Sequence, residues 1–187
     1  MNSVIKTILE RRSTRSFDTA KTVQESLLTE IVKAGAYAPS AMNRQAWHFS
    51  VVENKELLLR LNAAVKALAS ESEEERIRAR SSDDTYNFYY SAPALIIVSM
   101  SENALYPRED AGCAMENMML AATSLSLGSC WINQLGNGAS ENAGVRAVLD
   151  EMGVPKQNSV YAALAVGYAL KSSPLKDRAH GIVNFVK

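Results

Sequence analysis

Three arginines, Arg11, Arg12 and Arg15, surround the hydroxyls of Ser13 and Thr14. Guanidinium forks and a hydroxyl match phosphate oxygens, so this cluster can serve as an anion site. It also sits just past an amphipathic segment, where cations complement the carbonyl end of a helix, and taken alone it fits that plainer role better. A second basic pair, Lys176 and Arg178, lies near the other end of the chain. The two groups could converge on one phosphate, each charge-assisted bond worth about 1.5–3 kcal/mol when sheltered from water. Between them, Pro39, Ser40, Asn43, Arg44 and Gln45 bring a hydroxyl, two amides and a guanidinium into one turn-rich loop. Such a loop either caps its own backbone or offers a rim of donors and acceptors to a planar heterocycle. Trp47 and Phe49 beside it read as core, and His48 as an ordinary satisfied histidine.

Other chemistries are poorly represented. Cys113 and Cys130 match no metal-ligand spacing and cannot build a disulfide framework, so Cys130 reads as a small hydrophobe and no metal site is expected. The chain has no dinucleotide fingerprint, P-loop or nucleophile elbow. Twenty basic and twenty acidic side chains balance within 187 residues, which removes the global basic field of a nucleic-acid binder. MNSVIKTILERR lacks the apolar core of a signal peptide, and the longest apolar runs fall far short of the ~20 residues of a membrane span. The expectation is one cytoplasmic domain covering residues 1–187, with no nucleic-acid or membrane partner.

The elements that must position these residues follow from periodicity. Val4, Ile5, Ile8 and Leu9 recur at helical spacing. Thr22 and Glu25 resemble a capping box ahead of a helix carrying Leu27, Leu28, Ile31 and Val32, closed by Gly35 and Pro39. Residues 47–52 read as a strand, 55–69 as a helix, and 70–84 as a strongly charged stretch, a solvated helix face or a lid. ALIIVSM (94–100) is apolar without alternation, as a strand covered on both faces would be. Residues 108–127 form the clearest helix, with Ala111, Met115, Met118, Ala122 and Leu125 on one stripe. Its many small residues suit close approach of a helix or a second subunit, and Gly128 closes it. A short extended piece at 130–132, a helix at 141–152, a buried strand at 161–168 and a last strand at 181–186 complete a mixed α and β chain.

Taken in order, RRSTRSF (11–17), APSAMNRQAWHF (38–49), GSCWI (128–132), AVGY (165–168) and KDR (176–178) resemble the nitroreductase family of FMN-dependent oxidoreductases. The match runs over nearly the whole chain. It departs at Ala46, where the family usually carries proline, and the chain is short, with the inserted helices of longer members reduced. The resemblance implies an α+β fold with a central, mostly antiparallel sheet flanked by helices. It also implies an intertwined homodimer with FMN at the subunit interface and exchanged C-terminal segments.

Carried over by position, Arg11, Arg12 and Ser13 match residues that grip the phosphate or ribityl chain, and Arg15 one near flavin N1 and the C2 carbonyl. Lys176 and Arg178 match the C-terminal phosphate clamp. Pro39, Ser40, Asn43 and Gln45 match the loop supplied by the neighbouring subunit. Trp131, Ile132, Asn133 and Gln134 match the segment near N5, and Asn62 the pyrimidine edge. The implied activity is an NAD(P)H oxidoreductase working by ping-pong hydride transfer from NADH or NADPH through FMN to nitroaromatics, quinones or activated alkenes. No protein acid or base is required for that transfer. The alternatives are another flavin reaction on the same fold (dehalogenation, dehydrogenation or flavin fragmentation) or a non-catalytic flavin-binding redox module.

Overall fold

A four-stranded sheet organises the chain. The computed structural model describes residues 2–136, 138–171, 174, 181 and 183–186. Strands β1 (Trp47–Val52), β2 (Ala94–Met100), β3 (Gly128–Ile132) and β4 (Ser159–Gly167) lie in the order β1-β2-β4-β3, every neighbouring pair antiparallel. All seven residues of β2 are buried, as its unbroken apolar run demands of a strand covered on both faces. The fold is the expected α+β arrangement of an antiparallel sheet flanked by helices.

Helices close both faces. On one, α3 (Lys55–Ser70) and α6 (Ala143–Glu151) bring Leu58, Leu61, Val65, Val145 and Leu149 onto Leu95, Ile97, Cys130 and Ile132. On the other, α2 (Glu25–Ala36) and α5 (Pro107–Ser124) bring Leu28, Ile31, Met115 and Met118 onto Ile96, Val98, Leu164 and Val166. Each fully buried Leu or Ile contributes roughly 2 kcal/mol by leaving water. Short helices α1 (Ser3–Glu10) and α4 (Glu75–Ser81) bury no residue.

Several local expectations change for identifiable reasons. Thr22 does not cap α2; Gln24 occupies that position without a side-chain bond, because the helix starts at Glu25 itself. Gly35 lies inside α2 rather than closing it. A β-carbon there would approach Met118 Cγ to 2.8 Å, so glycine permits the close contact between α2 and α5. Gly128 opens β3 instead of ending α5, since a β-carbon would lie 2.6 Å from Thr14 Oγ1. The small residues of α5 are largely spent inside the chain, where Ala111, Ala114 and Ala122 are buried. Of the strand expected at 181–186, the described residues 181 and 183–186 adopt none, and Val183, Phe185 and Val186 are exposed. No described helix is long and apolar enough to cross a membrane.

Candidate functional site

Residues 13–17 run along the outer edge of β3. Ser13 forms a parallel bridge to Ser129, the Thr14 amide donates to the Ser129 carbonyl at 2.8 Å, and Phe17 bridges Ala169. This backbone pairing brings the arginine cluster to the strand that leads into Asn133 and Gln134, so two widely separated motifs share one edge.

The three arginines then take different surroundings. Arg12 donates to the Leu9 and Arg11 carbonyls, satisfying the open end of α1, which is the plainer role. Arg11 is largely buried, its Nε 3.5 Å from Glu116 of α5. The Arg15 guanidinium stands 6.0 Å from the centre of the Tyr90 ring, and its pKa is raised, first by bonding to the Tyr90 side chain and then by attraction to Cys130. Burial pushes the Cys130 thiol up, with Arg15 and Arg11 pulling the other way. Cys130 is therefore a buried thiol close to both guanidiniums, in which desolvation outweighs their pull.

A turn that the sequence reading passed over ties this region together. YNFYY (86–90) is held by Asn87, whose Oδ1 accepts from the amides of Tyr89 and Ser91. Tyr90 and Ser91 carry φ values of 57° and 54°, a left-handed bend without glycine. The Phe88 amide donates to Asn62 Oδ1 at 3.1 Å, and Gln134 Nε2 donates to the Tyr86 hydroxyl at 3.3 Å. Arg15, Asn62 and Gln134 thus each contact this one turn, at Tyr90, Phe88 and Tyr86. Asn62 keeps its amide donors unbonded among the described residues, whereas Gln134 Oε1 accepts from the Asn133 amide. Trp131 faces outward, partly exposed, and Ile132 is buried in the core.

The 39–45 loop stands at the other edge, before β1. The Ala41 amide donates to Asp110 Oδ1 at 3.0 Å, Arg44 to the Asn103 carbonyl, the Gln45 amide to Ser40 Oγ, and Gln45 Nε2 to Asn43 Oδ1. Pro39, Asn43 and Gln45 are exposed and Ser40 half-buried. Met42, Asn43 and Gln45 all have positive φ, near 50°. Asp110, 5% exposed with Oδ2 unpartnered among the described residues, is an anchor that the sequence did not reveal; in the first turn of α5 it also complements the helix dipole. Lys176 and Arg178 lie outside the described residues.

The stretch at 70–84 folds as α4 against α3, its Ile77 half-buried above Asn133 and Gln134. Two adjoining cavities of about 610 and 440 Å³ lie beneath it. No cluster of metal-binding side chains occurs among the described residues.

The β3 region offers cations, the unbonded Asn62 amide and the orphaned hydroxyl of Ser129, a donor set suited to a phosphate-bearing aromatic cofactor with carbonyl edges. Comparison with known proteins agrees with that chemistry. A nitroreductase with bound FMN from Bacteroides fragilis superposes with a TM-score of 0.93, at 41% identity and with both chains fully covered. The NADPH-flavin oxidoreductase of Vibrio harveyi is 27% identical over 98% of this chain and 74% of its own. The iodotyrosine deiodinase of Thermotoga neapolitana is 30% identical over 64% of this chain and 68% of its own. With residues 8–168 matching the family's profile, the chain belongs to the nitroreductase family.

Proposed function

We propose that this protein is an FMN-dependent NAD(P)H oxidoreductase that passes electrons to small electron-poor acceptors such as nitroaromatics, quinones or activated alkenes. The observation carrying this reading is that Arg15, Asn62 and Gln134 all meet the 86–90 turn, beside the β3 edge to which Ser13 is bridged. FMN, when bound, supplies the hydride and two-electron chemistry in alternating half-reactions. The chain's own residues bind and bias it. Arg11 and Ser13, with Arg12 beside them, hold the phosphate end. Arg15 presents a permanent positive charge to the part of the ring that gains negative charge on reduction. Asn62 would offer its amide donors to a ring carbonyl, and the 131–134 backbone would face the reacting edge of the bound ring. Lys176 and Arg178 would supply the remaining cations of the phosphate clamp.

The partner loop comes from a second copy. β1 and β3 are three interstrand spacings apart, roughly 14 Å, so Pro39, Ser40, Asn43 and Gln45 serve the β3 site of a neighbouring subunit better than their own. Val4, Ile5, Ile8 and Leu9 form an apolar stripe 46–61% exposed, and Tyr37 and Leu170 are also uncovered; a homodimer would cover such surface.

The test is the visible spectrum of the purified protein before and after anaerobic NADH, then NADPH. Flavin bands that bleach with either donor support the reading. A colourless protein that takes up no added FMN overturns it, and bound flavin reduced by dithionite but by neither nicotinamide identifies a non-catalytic module. The Thermotoga relative favours a second reading, reductive dehalogenation. It would replace the first if a halogenated phenol is consumed while nitroaromatic turnover is too slow to measure.

A further inference from the structure

The cavities beneath α4 are unlike each other. Both share Val65, Ala69, Ile77, Asn133 and Gln134 as walls. The larger is completed mainly by Leu68, Gly136 and Ala139, with Glu71 its one charged lining residue. The smaller adds Lys66, Arg76 and Arg80 against one acid, Glu74, an excess of two positive charges. Lys66 donates to the Asp83 carbonyl at 2.7 Å, while the guanidiniums of Arg76 and Arg80 make no ion pair or hydrogen bond among the described residues.

The stability of α4 explains this arrangement only in part: Arg80, in the last turn, complements the helix dipole, whereas Arg76, in the first, opposes it. Like charges four residues apart on a helix are destabilising, and a seven-residue helix that buries no side chain has little to spare. Arg78, between them in sequence, does stabilise the helix, donating to the Ser72 and Glu73 carbonyls. Arg76 and Arg80 instead face the same cavity, whose floor is the Asn133–Gln134 segment assigned above to the reacting edge of the cofactor. An anion entering there would neutralise the pair, with an apolar wall beside it and the electron source adjoining.

We propose that the cleft under α4 selects the electron acceptor by its negative charge: Arg76, Arg80 and Lys66 receive a carboxylate while Val65, Ala69 and Ile77 receive the planar apolar body that carries it. The inference rests on the proposed oxidoreductase function and narrows its substrate class to anionic aromatic acceptors. α4 is thereby a specificity element rather than a solvated decoration.

The experiment compares kcat/KM for 4-nitrobenzoate and for 4-nitrobenzamide, near-isosteres differing in charge, with NADH as donor. The wild-type protein should prefer the carboxylate by about tenfold, the size expected of two or three partly exposed charge pairs. Arg76→Gln/Arg80→Gln should bring the ratio to within about twofold, and added salt should compress the wild-type ratio. Lys156→Gln, an equal loss per site of exposed charge outside the cavity, should leave the ratio unchanged. A wild-type ratio near one, or a ratio unmoved in the double variant, overturns the inference. So does a double variant whose NADPH-to-NADH preference changes while its acceptor ratio does not, since the cations would then read the donor's extra phosphate. If bound flavin is not reduced by either nicotinamide, the oxidoreductase reading fails; mixing the photochemically reduced protein with the two acceptors still decides the acceptor question. A protein that takes up no FMN overturns both.

Discussion

The two edges of the sheet hold their functional segments by opposite means. At the β3 edge, residues 13–17 are paired to strand backbone, and Arg15, Asn62 and Gln134 are braced by the 86–90 turn. At the β1 edge, the 39–45 loop stands exposed with three left-handed residues and one buried anchor, Asp110. The first is a half-site made rigid by its own chain. The second is a strained projection whose polar groups largely satisfy one another and whose outer face is open. Positive φ at a methionine and a glutamine costs energy that a buried contact must offset. Under the proposed function, the difference fits a β3 half that receives a ligand and a β1 half that is completed by contact with another surface.

The comparison breaks most severely if the proposed dimer is prevented from forming. Ile5→Glu with Leu9→Glu changes residues already exposed in the single chain, so folding should be little affected. Sedimentation should show monomer in place of dimer, and FMN should be lost with it. A variant that stays dimeric and yellow would show that the two edges do not meet across this stripe.

Arg15→Ala tests the rigid half alone. Loss of a charge-assisted contact of about 2 kcal/mol should weaken FMN retention roughly 30-fold, and the flavin's reduction potential should fall. Fluorescence titration and dye-equilibration potentiometry would measure the two effects, and an unchanged potential would remove Arg15 from its role.

Asp110→Ala tests the projecting half. It frees the Ala41 amide and should lower stability by about 1 kcal/mol, with FMN affinity falling only several-fold because the β3 contacts persist. Thermal unfolding together with the same titration would separate loop anchoring from general destabilisation. A loss of affinity as large as that from Arg15→Ala would erase the contrast between the edges.

The smallest effect is expected far from both. Arg60 on α3 donates through two nitrogens to Glu151 at the end of α6, and that bond holds the Glu151 carboxyl below its ordinary pKa. A depressed carboxylate stabilises the fold above its unfolded pKa and loses that contribution as pH falls through the folded value. Arg60→Ala should therefore lower Tm slightly at neutral pH, with the gap closing as the pH falls below the ordinary carboxylate range and FMN binding unaltered. A Tm gap that persists in acid would assign the effect to packing instead.

The strands and long helices were legible because their signals are local. ALIIVSM needs two covered faces wherever it sits, and the stripe of Ala111, Met115, Met118 and Ala122 is buried as its spacing required. The family motifs named the segments that carry the arginines and the amide loop for the same reason: motif order and residue type are properties of the chain itself. Side-chain partnership is not. Nothing local distinguished Arg12, which closes α1, from Arg15, which stands over Tyr90, or showed that Asp110 would reach a loop 69 positions away. Nor did the charged run at 70–84 disclose a helix with Arg76 and Arg80 turned toward one cavity. Sequence alone determined which elements form and which polar groups are available, because periodicity and residue chemistry act over a few positions. The tertiary structure decided which of those groups meet, because strand order and helix packing bring together residues whose separation along the chain carries no such information.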